Sequence, residues 1–402
     1  MKISSSYLYN KSLQNIQTAQ SDVAKSREQI ATGKSLVRPS DDTSKLRNIE
    51  MLESQVRKLD SFDRNAAYLQ NRYGLEETVL SSASDILIRT KELAIQAAND
   101  TLSVADRDII AVEISSLRDE IISIANTRDV EGNFIFGGGK TDIESFVKSN
   151  VTGKVNYQGD NRETSIAISN TRSLTKNRDG TTIFQTAPRQ RQTFTLNGLS
   201  GVGKFNFKVG SAAIEFSVSA NDSAETIKSA IQQSLEASGI AGTAQAVTTN
   251  GTTIYSITLS GLNSNASNGV PVTASSPNSN PLTVTLSGSD IQSVGFFDVL
   301  GDLVSALSEN KRGEIGRSVS ELSSLQERLS INVGQVGSSL NNLERQVDIN
   351  SSIRLRIDEL LSIERDLDYA KAVTQFNAEM VRLEATQASF AKIAQLSLFE
   401  YI

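Results

Sequence analysis

Two short motifs contain residue types that bind phosphate or carry out catalysis in other proteins. Gly139-Lys140-Thr141 matches the end of a phosphate-binding loop, but Phe134 occupies the position where that loop requires its first glycine. Ser145 and Lys148 have the spacing of a Ser/Lys nucleophile pair, and its companion motifs Ser-Asp-Asn and Lys-Thr-Gly are absent from the sequence. We therefore interpret the first motif as a glycine turn and the second as a chance match.

A pair of adjacent carboxylates, Asp41-Asp42, has the residue types of a metal site or an acid/base pair. The pair directly precedes an amphipathic stretch, where carboxylates accept backbone N–H bonds and favour the helix dipole. Ser103, followed by Asp106, has the pattern of a helix start. We predict that Asp41, Asp42 and Ser103 cap helices.

The composition excludes most familiar enzyme sites. The 402-residue chain has no His and no Cys, the usual sources of general bases, thiol nucleophiles and transition-metal ligands. Its 40 Lys and Arg against 46 Asp and Glu leave a net charge of −6, unlike proteins that neutralise nucleic-acid or lipid phosphates. We expect no catalytic residue, no cofactor, no metal, no nucleic-acid partner and no membrane partner.

The proline and glycine positions predict long helices on both sides of the chain. Residues 40–187 and 282–402 contain no proline, which would break a helix interior. Apolar residues at steps of three and four predict one helix from Ile49 to Gly74, another from Leu75 to about Asn99 and a third from Ser103. The glycine-free and proline-free stretch after Gly337 predicts one continuous helical rod to the end of the chain.

Both chain ends carry narrow apolar stripes with the seven-residue spacing of coiled coils. Such a stripe requires a partner helix, and an ordinary buried core is the alternative explanation. The predicted assembly interface comprises Leu13, Ile16, Val23 and Ile30 near the start, and Leu360, Ile363, Leu367, Ala370, Val373, Phe376, Met380, Leu383, Phe390 and Leu398 near the end.

The middle of the chain has a different composition. No charged residue occurs from Ala237 to Ser289, whereas 21% of the whole chain is charged. Alternating apolar residues predict half-buried antiparallel strands, and one helix with Asp222 as its N-cap interrupts them. The apolar positions that alternate in this way are Phe205/Phe207/Val209, Ile214/Phe216/Val218, Tyr255/Ile257/Leu259 and Leu282/Val284/Leu286.

These patterns together predict a multidomain fold of α plus β class. A discontinuous helical-bundle and coiled-coil part is built from both chain ends, and a mostly-β domain of α+β type lies in the centre. The predicted terminal coiled-coil segments, disordered in the monomer, are 1–40 and 361–402. The predicted helical rod with a β-hairpin is 41–187 with 296–360, and the predicted outer domain is 188–295.

Several motifs together resemble the flagellin superfamily, the bacterial flagellins and the related junction proteins of the flagellum. The resemblance covers residues 1–187 and 296–402, and the Phe-Gly-Gly turn and the chain ending favour the junction proteins over flagellin. Thr43 stands where the family often has Pro after Asp-Asp, which affects only how the helix start is preorganised. The motifs are Gln29-Ile30-Ala31-Thr32-Gly33-Lys34, Arg38-Pro39-Ser40-Asp41-Asp42, Lys91-Glu92-Leu93-Ala94, Gln96-Ala97-Ala98-Asn99, Asp106-Arg107, Asn133-Phe134-Ile135-Phe136-Gly137-Gly138, Tyr157-Gln158-Gly159-Asp160 and Leu396-Ser397-Leu398-Phe399-Glu400-Tyr401-Ile402.

The resemblance implies a structural protein that joins the flagellar hook to the flagellin filament, and not an enzyme. It implies self-association in a ring, contacts with the other hook-associated junction protein and with flagellin, and an export chaperone. It also implies an extracellular location after type III export without a cleaved signal peptide. The alternatives are flagellin itself, an enzyme or adhesin carried by the middle domain, and an intracellular coiled-coil scaffold.

Overall fold

The computed structural model describes residues 2–199, 202–249, 252–261, 270–275 and 282–399, with side chains described except at 2–6, 249, 275 and 393–399. Long helices dominate both sides of the described chain. The helices are α1 (Lys2–Thr32), α2 (Thr43–Ala97), α3 (Val104–Ala125), α4 (Gly180–Ile183), α5 (Ala224–Ala237), α6 (Phe296–Ser308), α7 (Arg312–Arg365) and α8 (Tyr369–Phe399).

Within the described ranges, the strands lie between α3 and α6 and form four antiparallel sheets. They are β1 (Phe146–Lys148), β2 (Val155–Tyr157), β3 (Thr164–Ala167), β4 (Ser173–Asn177), β5 (Ala187–Asn197), β6 (Gly203–Val209), β7 (Ala212–Val218), β8 (Gly242–Thr249), β9 (Thr252–Ser260), β10 (Val272–Ser275) and β11 (Thr283–Val294). The pairs β1-β2 and β3-β4 are two-stranded sheets. The larger sheets have the orders β10-β6-β7 and β11-β5-β9-β8.

The chain divides into two compact units. The first consists of residues 1–67, 168–171 and 344–402, and the second of residues 68–167 and 172–343. In the first unit, α1 packs against α8, and the start of α2 packs against the end of α7. Leu52, Phe62 and Ile357 belong to the core between α2 and α7. The first unit is therefore assembled from both ends of the chain, as predicted.

The second unit contains the β-rich region and its core. The alternating residues of β6, β7 and β9 point their apolar side chains into this core, where Phe194 and Phe207 meet edge to face. Helix α5 contacts β7 and β8 and adds Ile231 and Leu235. The predicted fold class is confirmed, because helices from both ends accompany a central region that contains, among the described residues, antiparallel sheets and the two helices α4 and α5.

Three local predictions about the helices were wrong. Gly74 does not end a helix: α2 runs through it, and the Thr78 hydroxyl donates to its carbonyl oxygen at 2.9 Å. The last stretch is not one rod, because α7 ends at Arg365 and α8 begins at Tyr369. The N-cap of α5 is Ser223, not Asp222, since the Ser223 hydroxyl accepts the N–H of Thr226. The predicted domain boundaries stay predictions.

Candidate assembly interface

The two terminal helices of the described chain, α1 and α8, form an antiparallel pair. Residues 366–368, the link between α7 and α8, lie beside the residues that follow α1. The N–H of Leu367 donates to the Gly33 carbonyl at 3.0 Å, and the N–H of Ser35 donates to the Arg365 carbonyl at 2.8 Å. Asp368 begins α8 by accepting the N–H of Lys371 at 3.1 Å. Aspartate favours helix starts over helix interiors, which explains why the predicted rod is interrupted here.

The surface of α1 that faces α8 follows a heptad. Its most buried positions recur at alternating steps of four and three, the spacing that keeps a seam against a partner helix. Small residues alternate with β-branched ones along this row, and Ala19 and Ser26 are the most enclosed. The row, from buried and half-buried side chains, is Ser12, Ile16, Ala19, Val23, Ser26 and Ile30.

The facing surface of α8 has the same spacing. Phe390 meets Tyr9 with ring centroids 5.1 Å apart, so the contact extends almost to the described limit of the α8 side chains. Ala372 is the most buried member, and the larger side chains are half-buried. The row is Ala372, Phe376, Glu379, Leu383, Thr386 and Phe390.

Polar contacts accompany the apolar rows. The hydroxyl of Ser26, which is 4% exposed, donates to Glu379 Oε2 at 2.5 Å. The amide of Gln375 donates to the other oxygen, Oε1, at 2.9 Å. At the rim, Arg382 Nη1 lies 3.6 Å from Asp22 Oδ2, an exposed pair of small energetic weight.

The predicted interface residues fall into three groups. Ile16, Val23, Ile30, Phe376, Leu383 and Phe390 lie in the two facing rows, and half-buried Met380 lies beside its row. Leu13, Leu360, Ile363, Ala370 and Val373 are exposed and outside the contact, and Leu367 lies in the link. The side chain of Leu398 lies outside the described residues.

Sequence reasoning missed the small and polar members of the rows. The prediction selected apolar residues only. It therefore left out Ser12, Ser26, Glu379 and Thr386, although they complete the four-three spacing. That spacing between known apolar positions is the signal that could have found them. A cleft of about 420 Å³ beside the pair is lined by α1 residues between 20 and 31 and by Leu383.

The predicted capping residues lie at turns and helix starts. Asp42 Oδ1 accepts the N–H groups of Ser44 and Lys45 at the start of α2, whereas Asp41 accepts the N–H of Arg38 and pairs with Lys25 at 3.3 Å. Ser103 and Asp106 form a reciprocal capping box at α3. The Ser103 hydroxyl lowers the pKa of Asp106, because its hydrogen bond favours the carboxylate form.

The N-terminal part of the chain is similar to known proteins. The family model "Bacterial flagellin N-terminal helical region" matches residues 3–141. These residues are similar to the N-terminal helical region of bacterial flagellins. The chain is 31% identical to flagellar hook-associated protein 3 of Escherichia coli strain K12 over 184 residues, or 46% of this chain and 57% of the relative. It is 29% identical to a flagellin of Clostridium tyrobutyricum over 143 residues, or 36% of this chain and 38% of the relative.

The matches to these relatives are partial, and the chain spans less than two thirds of the length of either one. The fold extends further than the sequence match. The crystal structure of flagellar hook-associated protein 3 from Legionella pneumophila aligns with a TM-score of 0.53 and 18% identity, covering 78% of this chain and 98% of that chain. This likeness establishes a shared fold.

Two features are absent from the described part of the chain. No cluster of three or more His, Cys, Asp or Glu in the described part of the chain is placed to hold a metal ion. None of the helices in the described ranges combines the length and the apolar character needed to cross a bilayer.

Proposed function

We propose that this chain is a hook-associated junction protein of the bacterial flagellum, which joins the hook to the flagellin filament. The observation that carries the proposal is the pairing of the two chain ends through heptad rows, in a chain whose fold is that of hook-associated protein 3. A subunit that continues the helical core of the flagellum needs its two chain ends side by side. The antiparallel α1/α8 pair has this arrangement.

Apolar side chains outside the pair provide contacts for neighbouring subunits. Leu13, Val373 and Val381 are exposed although they belong to the paired helices. The free energy falls when another helix covers such exposed apolar side chains and removes them from water. In this proposal the chains self-associate in a ring, with the other hook-associated junction protein on one side and flagellin on the other.

The terminal segments order fully only on assembly in this proposal. Neighbouring subunits then supply burial that the free chain lacks, so assembly stabilises the helices by mass action. The protein reaches the outside of the cell by flagellar export, with its ends held by a chaperone. Limited proteolysis of the free chain should remove roughly the first 40 and the last 40 residues before the centre.

Deletion of the gene in its own host tests the function. Bare hooks with flagellin shed into the medium are the expected result. Bare hooks with no flagellin on the cell or in the medium would instead identify the chain as flagellin, the alternative that its similarity to the Clostridium flagellin supports. Normal filaments would refute both.

Two aspartate variants separate the pair from its outer contacts. Phe376→Asp places a charge between α1 and α8, whereas Val373→Asp places one at an exposed apolar position of α8 outside the pair. We expect both chains to be secreted and neither to restore filaments in the deletion strain. Thr374→Asp is the matched control, because Thr374 is exposed and its hydroxyl bonds only within α8 among the described contacts. Full complementation by Phe376→Asp would refute the paired-end mechanism.

A further inference from the structure

A single acidic side chain interrupts the apolar row of α8. Glu379 occupies a facing position between Phe376 and Leu383 and is half-buried against α1. A carboxylate at such a position is costly unless it is hydrogen-bonded. The Ser26 hydroxyl supplies the bond from α1 at 2.5 Å, and Gln375 supplies one from its own helix at 2.9 Å.

We infer that the Ser26–Glu379 pair helps to select the register in which the two chain ends pair. The inference rests on the proposed function, since register matters when the paired ends must match those of their neighbours. A heptad seam by itself permits one helix to slip by seven residues along the other, because each large side chain then meets the equivalent position of the next heptad. A single polar contact in a coiled-coil seam is a known means of selecting one register.

A slip of one heptad removes the hydrogen bond across the pair. Residue 379 would then lie opposite position 19 or position 33, which are Ala19 and Gly33. Neither side chain has a donor, so Glu379 would keep the Gln375 bond and lose the one from α1. Ile16, Val23 and Ile30 would meanwhile still face Phe376, Leu383 or Phe390. The apolar contacts alone therefore discriminate weakly between registers.

The backbone link does not prevent such a slip. A shift of seven helical residues is about 10 Å. Residues 33–42 connect α1 to α2 and, at about 3.3 Å per extended residue, have the length to follow it. The slip breaks the backbone bonds that join Gly33 to Leu367 and Ser35 to Arg365. The Ser26–Glu379 bond adds a preference within the seam itself, on the order of tenfold for a hydrogen bond to a charged group.

Cysteine cross-linking in sheared flagella tests the inference, because the chain has no cysteine of its own. Asp22→Cys with Arg382→Cys reports the native register, in which these side chains are adjacent. Asp22→Cys with Ser389→Cys, and Asn15→Cys with Arg382→Cys, report slips of one heptad in either direction. A short bis-maleimide links each pair, and gel mass separates links within a chain from links between chains. The unsubstituted chain is co-expressed so that flagella form in every strain.

Ser26→Ala removes the donor and keeps a small side chain in the row. We expect it to raise the ratio of slipped to native cross-link about tenfold. Glu379→Gln should raise the ratio less than Ser26→Ala does, since its amide oxygen still accepts from Ser26 in a weaker, neutral hydrogen bond. Ser12→Ala is the matched control, because Ser12 lies in the same row and has no described bond to α8.

An unchanged ratio in Ser26→Ala would overturn the inference, as would an equal rise in Ser12→Ala. If Ser26→Ala chains are secreted but do not enter flagella, the same cross-links are measured on the chain in the medium, and the same criteria apply. If the unsubstituted chain is itself absent from flagella, the proposed function fails, and cross-links in the secreted chain still decide the register.

Discussion

Replacing the buried carboxylate of Glu76 by an amide should destabilise the second unit strongly. Glu76 is fully buried in α2, and its Oε2 lies 3.0 Å from Arg178 Nε. Its Oε1 lies 3.4 Å from Arg72 Nε. Arg72 also contacts Asp129 at 2.7 Å and the Ile135 carbonyl at 2.9 Å, so only Arg178 depends chiefly on Glu76.

The magnitude follows from what Glu76→Gln leaves behind. Arg178 would keep the Ser339 hydroxyl at 3.4 Å and the ring of Tyr73, but no carboxylate among its described contacts. Breaking a buried ion pair from one side costs about 3–5 kcal/mol. Because the Arg178 side chain is 17% exposed, water relieves part of this cost, and we expect about 3 kcal/mol.

Urea unfolding of the full chain, followed by circular dichroism at the helical band, measures the effect. Glu113→Gln is the matched control, since Glu113 also pairs with an arginine, Arg89, at 2.9 Å but is exposed. It should cost less than about 1 kcal/mol. Arg178→Met combined with Glu76→Gln should recover about 1–3 kcal/mol relative to the sum of the single changes. If Glu76→Gln costs no more than Glu113→Gln, the buried network does not stabilise the fold in this way.

Two further predictions concern the capping box and the link. Because the pKa of Asp106 lies below its ordinary 3.8 in the folded chain, its stabilisation is present above that value and lost as pH falls through the folded pKa. NMR titration should show the Asp106 pKa returning toward 3.8 in Ser103→Ala, and an unchanged pKa would contradict the box. Gly33→Ala should lower the melting temperature, because Gly33 has φ +69° and a Cβ there would lie 2.8 Å from Tyr369 Oη. In the Gly33→Ala background, Tyr369→Phe should restore only the part of the melting temperature that the clash with Tyr369 Oη removes. If Gly33→Ala melts at the native temperature, position 33 is not strained by a side chain.

The sequence predicted the secondary structure of the central region well, because the period of two is a local property of a strand. The inward residues of β6, β7 and β9 are those that alternate along the chain, as at Phe205, Phe216 and Ile257. Edge strand β11 fits less well, since Leu286 shares the apolar alternation but is half exposed. It lies at the sheet edge next to a register shift. Alternation shows which residues share a strand face but not how completely a sheet covers it.

Helix boundaries were less predictable because they depend on small energy differences. Gly74 costs about 1 kcal/mol in a helix interior relative to Ala, which the packing of a 55-residue helix offsets. The break before α8 was marked in the sequence by Asp366 and Asp368, whose side chains accept hydrogen bonds near the link. Proline and glycine positions do not reveal such a break, because an aspartate starts a new helix through a local hydrogen bond, as Asp368 does for α8.

The sequence by itself determined that both chain ends are helical and seamed, that the centre is β-rich, and that histidine and cysteine chemistry is absent. Heptads, alternation and composition are properties of neighbouring residues, so the chain alone carries them. The tertiary structure decided which face of each terminal helix meets the other. Val373 is exposed while Ala372 is buried, one residue away on the same helix. A partner helix removes water from one side only, and its position depends on contacts between residues more than 300 positions apart, such as Ser26 and Glu379.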